Sequence, residues 1–313
     1  MIMFRSLNRL GTHLSVSLHG SSSTAVPISI ARRMCSAKAY KFETLAVTRP
    51  RENVLQVEMN RPDKRNAMNQ TFWREMVECF DQISKDGDCR AVVLSGAGKI
   101  FTAGLDLMDM AGVLMSSADS DDPARKAIHI RQTILAYQES FTAIEKCEKP
   151  VIAAVHSACV GGGVDMICAC DIRLCTSDAW FQVKEVELGL AADVGTLQRM
   201  PKIVGNESLV RELCYTARRL LAHEAKEAGL VSGIYPNRER VISAALDMAA
   251  KIAKMSPVAV TGTKHNLNYS RDHPVDASLK YIATWNMTML QTEDIMKAAQ
   301  AMMAKEEATF SKL

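Results

Sequence analysis

No apolar run approaches the roughly 20 residues that a bilayer-crossing helix requires. The longest buried-looking stretch, 151–170, is broken by His156, by glycines and by Asp165. The sequence therefore predicts no membrane span. Charge of one sign is scarce as well. A formal net charge of +3 over 313 residues is too slight for a phosphate-binding surface, which needs clustered Lys and Arg, so no nucleic-acid partner is expected. Aromatic residues are few, at 5%. The nine cysteines are an odd number without CxxC spacing, and Cys168 and Cys170, the nearest pair, lie in an apolar segment. Zinc would need further His or Cys at ligand spacing. No metal site is expected, and buried, reduced thiols are.

Acidic residues are missing altogether before Glu43, while Arg5, Arg9, Arg32, Arg33, Lys38 and Lys41 stand among serines and small residues. An acid-free, Arg- and Ser-rich leader is the pattern of an organelle transit peptide, and residues 1–42 are set apart from the fold on that ground. At the other end, Ser311-Lys312-Leu313 has the form of a peroxisomal address read by an import receptor. Mitochondrial matrix and peroxisome together point towards fatty-acid oxidation.

From Phe42 onward, strands alternate with helices. Segments 54–59 and 91–95 are rich in β-branched residues, as strands are. Between them Phe72, Met76, Phe80 and Ile83 recur at helical spacing over 70–84, behind a polar 66–69 that suits a helix cap. An exposed acidic loop is expected at 116–123, a long amphipathic helix at 128–147 and a strand at 151–155. A loop at 157–162, a helix at 163–170 and a strand at 171–176 follow. This alternation predicts an α/β domain. Beyond Pro201 the pattern turns helical, at 208–213, 222–228, 240–255, 257–269 and 275–305.

Three features carry chemistry. Gly161-Gly162-Gly163 follows a strand and opens a helix, so its backbone can approach a ligand closely and present amides to an anion; tight helix–strand packing would use the same glycines. It matches neither GxGxxG nor the phosphate-loop pattern. Ala103-Gly104-Leu105 also lies between a strand and a helix, and amides from the two loops converging on one oxygen would make an oxyanion hole. Finally, Asp165, Glu185 and Asp193 sit among apolar neighbours, where a carboxyl acquires the raised pKa that proton transfer near neutrality needs. Each could instead be a helix cap or half of an ion pair, Asp193 as a cap before Val194-Gly195-Thr196. Cys159 and His156 do not suggest a nucleophile with its base.

In order and spacing, Asn60-Arg61-Pro62, Asn66-Ala67-Met68, Phe101 to Asp106, Lys149 to Val155, Gly161 to Asp165 and Asp171-Ile172-Arg173 resemble the crotonase (enoyl-CoA hydratase/isomerase) superfamily. The likeness runs from about residue 43 nearly to the C-terminus. It implies the α/β crotonase fold, with repeated ββα units over 43–253 and a helical C-terminal region, 254–313, through which the chain trimerises; trimers would pair into hexamers. It implies an acyl-CoA substrate, with coenzyme A as part of that substrate and no other cofactor. The oxyanion amides would be those of Leu105 and Gly162. Arg65, Asn66 and Ala67 would lie near the adenine, and Ala103, Gly104, Leu105, Asp106 and Leu107 along the thioester.

Typical hydratases of this family carry glutamates at the positions of Asp165 and Glu185 and a glycine at that of Asp193. Here the first acid is shortened and a further one is present. The resemblance then implies conversion of a 3,5-dienoyl-CoA to a 2,4-dienoyl-CoA, with a proton leaving C2 and another arriving at C6. Glu185 and Asp193 would be the catalytic pair, in either order, with Asp165 as a supporting acid. Enoyl-CoA hydratase, Δ3,Δ2-enoyl-CoA isomerase and a non-catalytic RNA-binding or scaffold protein are the competing readings.

Overall fold

A computed structural model describes residues 40–116 and 122–313. Most of the expected transit peptide, and most of the expected acidic loop, lie outside the described residues. Tyr40 and Phe42 already pack on the core, and the Tyr40 hydroxyl donates to Asp86 at 2.7 Å.

Strands β1 (Leu45–Arg51) and β2 (Val54–Met59) form an antiparallel hairpin, turned through Asn53 at φ 57°. Helix α1 (Gln70–Ser84) is capped by the Asn69 side chain, which accepts from the Phe72 amide. Strand β3 (Ala91–Gly96), helices α2 (Leu107–Ser116) and α3 (Pro123–Lys146) and strand β4 (Val151–Val155) follow. Then come β5 (Ala158–Val160), α4 (Gly162–Cys168), β6 (Ile172–Thr176) and β7 (Trp180–Gln182). Helices α5 (Thr196–Val204) and α6 (Glu207–Thr216), strand β8 (Leu220–Leu221), helix α7 (Ala222–Glu227), strand β9 (Gly233–Tyr235) and helix α8 (Arg238–Ala253) complete the α/β part. Three helices end it: α9 (Pro257–Asp272), α10 (Val275–Met289) and α11 (Asp294–Ala304).

The main sheet has the order β1-β2-β3-β4-β6-β9 and is parallel beyond the first hairpin; β5-β7-β8 form a smaller sheet. Both faces of the main sheet are covered, which is why β3 and β4 read as unbroken apolar runs. Val92, Leu94, Val151, Ala153 and Val155 face the larger core. Their neighbours Ala91, Val93, Ile152 and Ala154 face α8, where Val241, Ala245, Ala249 and Ala253 present a narrow stripe at four-residue spacing.

The ββα repeat is visible in β4-β5-α4 and again in β6-β7 with the turn after it. In the preceding unit the second strand shrinks to one bridge, Thr102 to Cys159. The expected loop at 157–162 thus contains β5, because Ala158 to Val160 pair with β7. The long helix starts at Pro123, where Asp122 accepts from the Ala124 amide. The expected helix at 275–305 divides in two around residues 290–293.

Candidate active site

The first glycine-containing loop leaves the C-terminal end of β3, and Gly161 leaves that of β5, the short strand that follows β4. Within 101–106 the chain runs beside 156–160, with Phe101 N donating to His156 O and Thr102 N to Ala158 O, each at 3.0 Å. Ala103 N donates to Arg65 O at 2.9 Å and Asp106 N to Met68 O at 3.0 Å. The Gly104 amide is held by Thr102 Oγ1 at 3.0 Å. Only the Leu105 amide of this run has no protein acceptor among the described residues. In the other loop Val160 N donates to Thr102 O and Gly161 N to Gln182 O. The amides of Gly162 and Gly163 have no acceptor among the described residues, and Gly162 is the one that borders the cavity described below. Gly104 and Gly161 have φ of 85° and 52°. A Cβ on Gly104 would sit 2.7 Å from the Val160 carbonyl oxygen, so glycine is what lets the loops touch. Two free N–H groups on touching loops can hold an oxygen on which negative charge develops.

Three carboxyls lie beyond these amides, and each is held differently. Asp165, in the first turn of α4, is completely buried. Its Oδ1 accepts from the Thr196 amide at 2.6 Å, so it caps α5, whose own N-cap residue is Gly195. Its other oxygen has no hydrogen-bond partner. Burial pushes the carboxyl up to about 6 against the pull of the Thr196 amide. Glu185 opens a short 3₁₀ turn, Glu185–Leu188, and is 8% exposed. One of its oxygens is unpartnered, and the other would lie 3.3 Å from a Cβ placed on Gly161. Burial, reinforced by Asp165, pushes it up to about 7. Asp193 is half-buried, its carboxyl raised by burial, and its backbone carbonyl accepts from Gln138 Nε2 at 2.7 Å. Asp193 does not cap α5; Asp165 takes that role.

The acids and amides meet at a cavity of about 360 Å³. Glu185 and Asp193 line it, as do Ala103, Gly104, Leu105, Leu107 and Gly162; Asp165 lies behind the wall. The remaining wall is mostly apolar, including Met110, Leu188, Leu190 and Val194. Sequence reasoning missed the contribution of α3, whose Ile130, Thr133, Ile134 and Tyr137 cover one side. Their spacing of three and four residues is the signal that would have found them. Tyr137 stacks on Trp73 at 4.6 Å.

The other expected contacts lie outside the cavity. Asp106 pairs with Arg61 at 3.1 Å. Asn66 is 2% exposed with φ 54°. Its side chain accepts from Arg61 N and donates to Ala97 O and Phe101 O. It therefore builds the turn and has no group to offer a ligand. Arg65 is exposed, with its carbonyl tied to the 103–107 loop through Ala103. The eight described cysteines are all buried and unpaired. Cys159 is raised well above its ordinary value by burial, and His156 Nε2 lies 3.1 Å from Gly98 O. They do not make a nucleophile and base.

Residues 49–312 match the family model described as enoyl-CoA hydratase/isomerase. The chain is 58% identical over 304 residues to the mitochondrial Delta(3,5)-Delta(2,4)-dienoyl-CoA isomerase of Rattus norvegicus, covering 96% of this chain and 92% of that protein. It is 42% identical over 274 residues to the peroxisomal Delta(3,5)-Delta(2,4)-dienoyl-CoA isomerase of Arabidopsis thaliana, covering 87% and 98%. Among solved structures it resembles the enoyl-CoA hydratase of Bacillus anthracis, with a TM-score of 0.77 and 27% identity over 86% of this chain and 99% of that one.

Proposed function

We propose, from the premise that this chain belongs to the enoyl-CoA hydratase/isomerase family, that it isomerises 3,5-dienoyl-CoA to 2,4-dienoyl-CoA. The observation that carries this reading is a pair of raised carboxyls, Glu185 and Asp193, in a largely apolar cavity beside two unspent amides. The thioester oxygen accepts from the Leu105 and Gly162 amides, which stabilise the dienolate formed when C2 loses a proton. Glu185 lies against Gly161, next to the oxyanion site, so it takes the proton from C2. Asp193, the other carboxyl on the cavity wall, delivers a proton to C6. The double bonds move from 3,5 to 2,4 as the electron pair travels along the chain. C2 and C6 are too far apart for one carboxylate to serve both, which gives the additional acid its purpose.

Coenzyme A belongs to the substrate, and transfer of protons alone calls for no redox group. Arg65 and Ala67 flank its adenine. Hydration would require two carboxylates around a water, and Asp165, capping α5 behind the cavity wall, is not placed for it. A Δ3,Δ2 isomerase would leave Asp193 idle. Exposed Val275, Leu279, Met287, Met302 and Met303 on the last two helices support self-association through residues 254–313, as a trimer or a pair of trimers. The names of the mitochondrial and peroxisomal relatives agree with the leader and with the terminal Ser-Lys-Leu, so both organelles are assigned.

The test is ultraviolet detection of conjugated 2,4-dienoyl-CoA formed from 3,5-dienoyl-CoA. Formation of a 3-hydroxyacyl-CoA from a 2-enoyl-CoA at comparable rate would favour hydration instead. The same assay reads the role of Asp165. Its charge helps hold Glu185 near 7, and the base acts only when ionised, so activity falls as pH drops through that value. Asp165→Asn keeps an acceptor for the Thr196 amide and removes the charge. The acid limb of the pH–rate profile should move to lower pH with the fold intact. An unmoved limb would show that Asp165 has only a structural part.

A further inference from the structure

Asp193 faces two cavities. Besides the acyl pocket it borders a second one of about 300 Å³, whose wall includes Gln138, Thr142, Gln198, Arg199 and Lys202. The two spaces differ in character. The acyl pocket is walled mainly by apolar side chains, whereas polar and charged residues make up most of the second's wall, with the exposed Gln198, Lys202 and Asp272 at its rim. Its cations are matched by carboxylates: Arg199 and Arg271 bind Glu145 at 2.6 and 2.7 Å, and Lys202 pairs with Asp272. A molecule of liquid water occupies ~30 Å³, so there is room for several. Glu185 borders only the acyl pocket.

The reaction proposed above, on which this inference rests, leaves the enzyme out of register with its starting state. One C–H bond breaks at C2 and its proton goes to Glu185. One C–H bond forms at C6 with the proton of Asp193. After each turnover Glu185 is a proton too rich and Asp193 a proton too poor, although substrate and product have the same composition. We propose that Asp193 is recharged from solvent through the second cavity, while the product still fills the acyl pocket. Glu185 returns its proton to solvent when the product leaves, and the balance over the cycle is zero. Gln138, which donates to the Asp193 carbonyl from α3, and Thr142, one turn further on, line the route.

Gln198 is exposed on α5 and makes no side-chain hydrogen bond among the described residues, so it can be enlarged without breaking one. In Gln198→Phe, which plugs the cavity, the single-turnover rate with enzyme in excess should match that of the natural chain. Its steady-state kcat should fall about tenfold, because recharging must then wait until the product has cleared the acyl pocket and becomes the slow step. The steady-state isotope effect from C2-deuterated substrate should shrink accordingly. Gln198→Ala, which leaves the route open, should keep both rates. Equal loss of single-turnover and steady-state rates in Gln198→Phe, or no loss of either, would overturn the route. If the natural chain makes no 2,4-diene at all, it is the isomerase reading that fails.

Discussion

Asp193→Asn should lower turnover of 3,5-dienoyl-CoA by about 10³-fold, the order expected when a positioned general acid is removed, while an unreactive acyl-CoA binds as before. The carboxamide has nearly the shape of the carboxyl but gives up no proton at C6. The Asp193 carboxyl makes no hydrogen bond to another side chain among the described residues and is reached only by its own backbone amide, so its replacement disrupts no side-chain network. The backbone contact that fixes the loop, from Gln138 to the Asp193 carbonyl, survives the substitution. Isothermal titration with a saturated acyl-CoA would separate binding from chemistry. In D2O the variant should still exchange the C2 hydrogen, because Glu185 and the oxyanion amides are untouched. Exchange without isomerisation would assign Glu185 to C2 and Asp193 to C6. Turnover near that of the natural chain would remove Asp193 from the mechanism.

That separation of roles was legible in the sequence only in part. The α/β alternation, the boundaries of α1 and β4, and the two glycine loops could all be read from periodicity and turn chemistry. Each is signalled by residues adjacent in the chain. The strands β5, β7, β8 and β9 have two or three residues each, too few for a period-two pattern to show. They exist because partners distant in sequence complete them. The side of the pocket made by α3 was hidden for a related reason. Ile130, Ile134 and Tyr137 form an apolar stripe that reads as core, and only the fold shows that it borders a cavity. The converse holds for Asp165 and Asn66. Their residue types and positions invited a chemical role, while their hydrogen bonds, to the Thr196 amide and to the 97–101 turn, are those of structural residues. The family resemblance singled out the Leu105 and Gly162 amides, but turn chemistry alone could not, because an amide that lacks an acceptor is defined by what all its neighbours bond to.

Glu185→Gln should produce opposite changes in activity and stability. Loss of the base at C2 should reduce turnover by about 10³-fold or more. Stability should nevertheless rise at alkaline pH. Burial lifts the Glu185 carboxyl from an ordinary 4.5 to about 7, so the folded chain holds its proton where the unfolded chain has released it. A raised carboxyl stabilises the fold fully below the unfolded value, and that contribution is lost as pH climbs from 4.5 through about 7. At ~1.4 kcal/mol per pH unit this amounts to ~3 kcal/mol above pH 7, the cost of keeping an ionised, half-unpartnered carboxylate in an apolar wall. Glutamine never ionises, and its carbonyl oxygen can occupy the place of either carboxylate oxygen; its amide hydrogens, which the site does not fully pair, offset part of the gain. Thermal melts of the two proteins should therefore nearly coincide near pH 5 and separate near pH 8, with the inactive variant the more stable. If Glu185→Gln is instead less stable at both pH values, Glu185 is a structural group. If it is more stable at pH 8 yet still active, the base at C2 lies elsewhere.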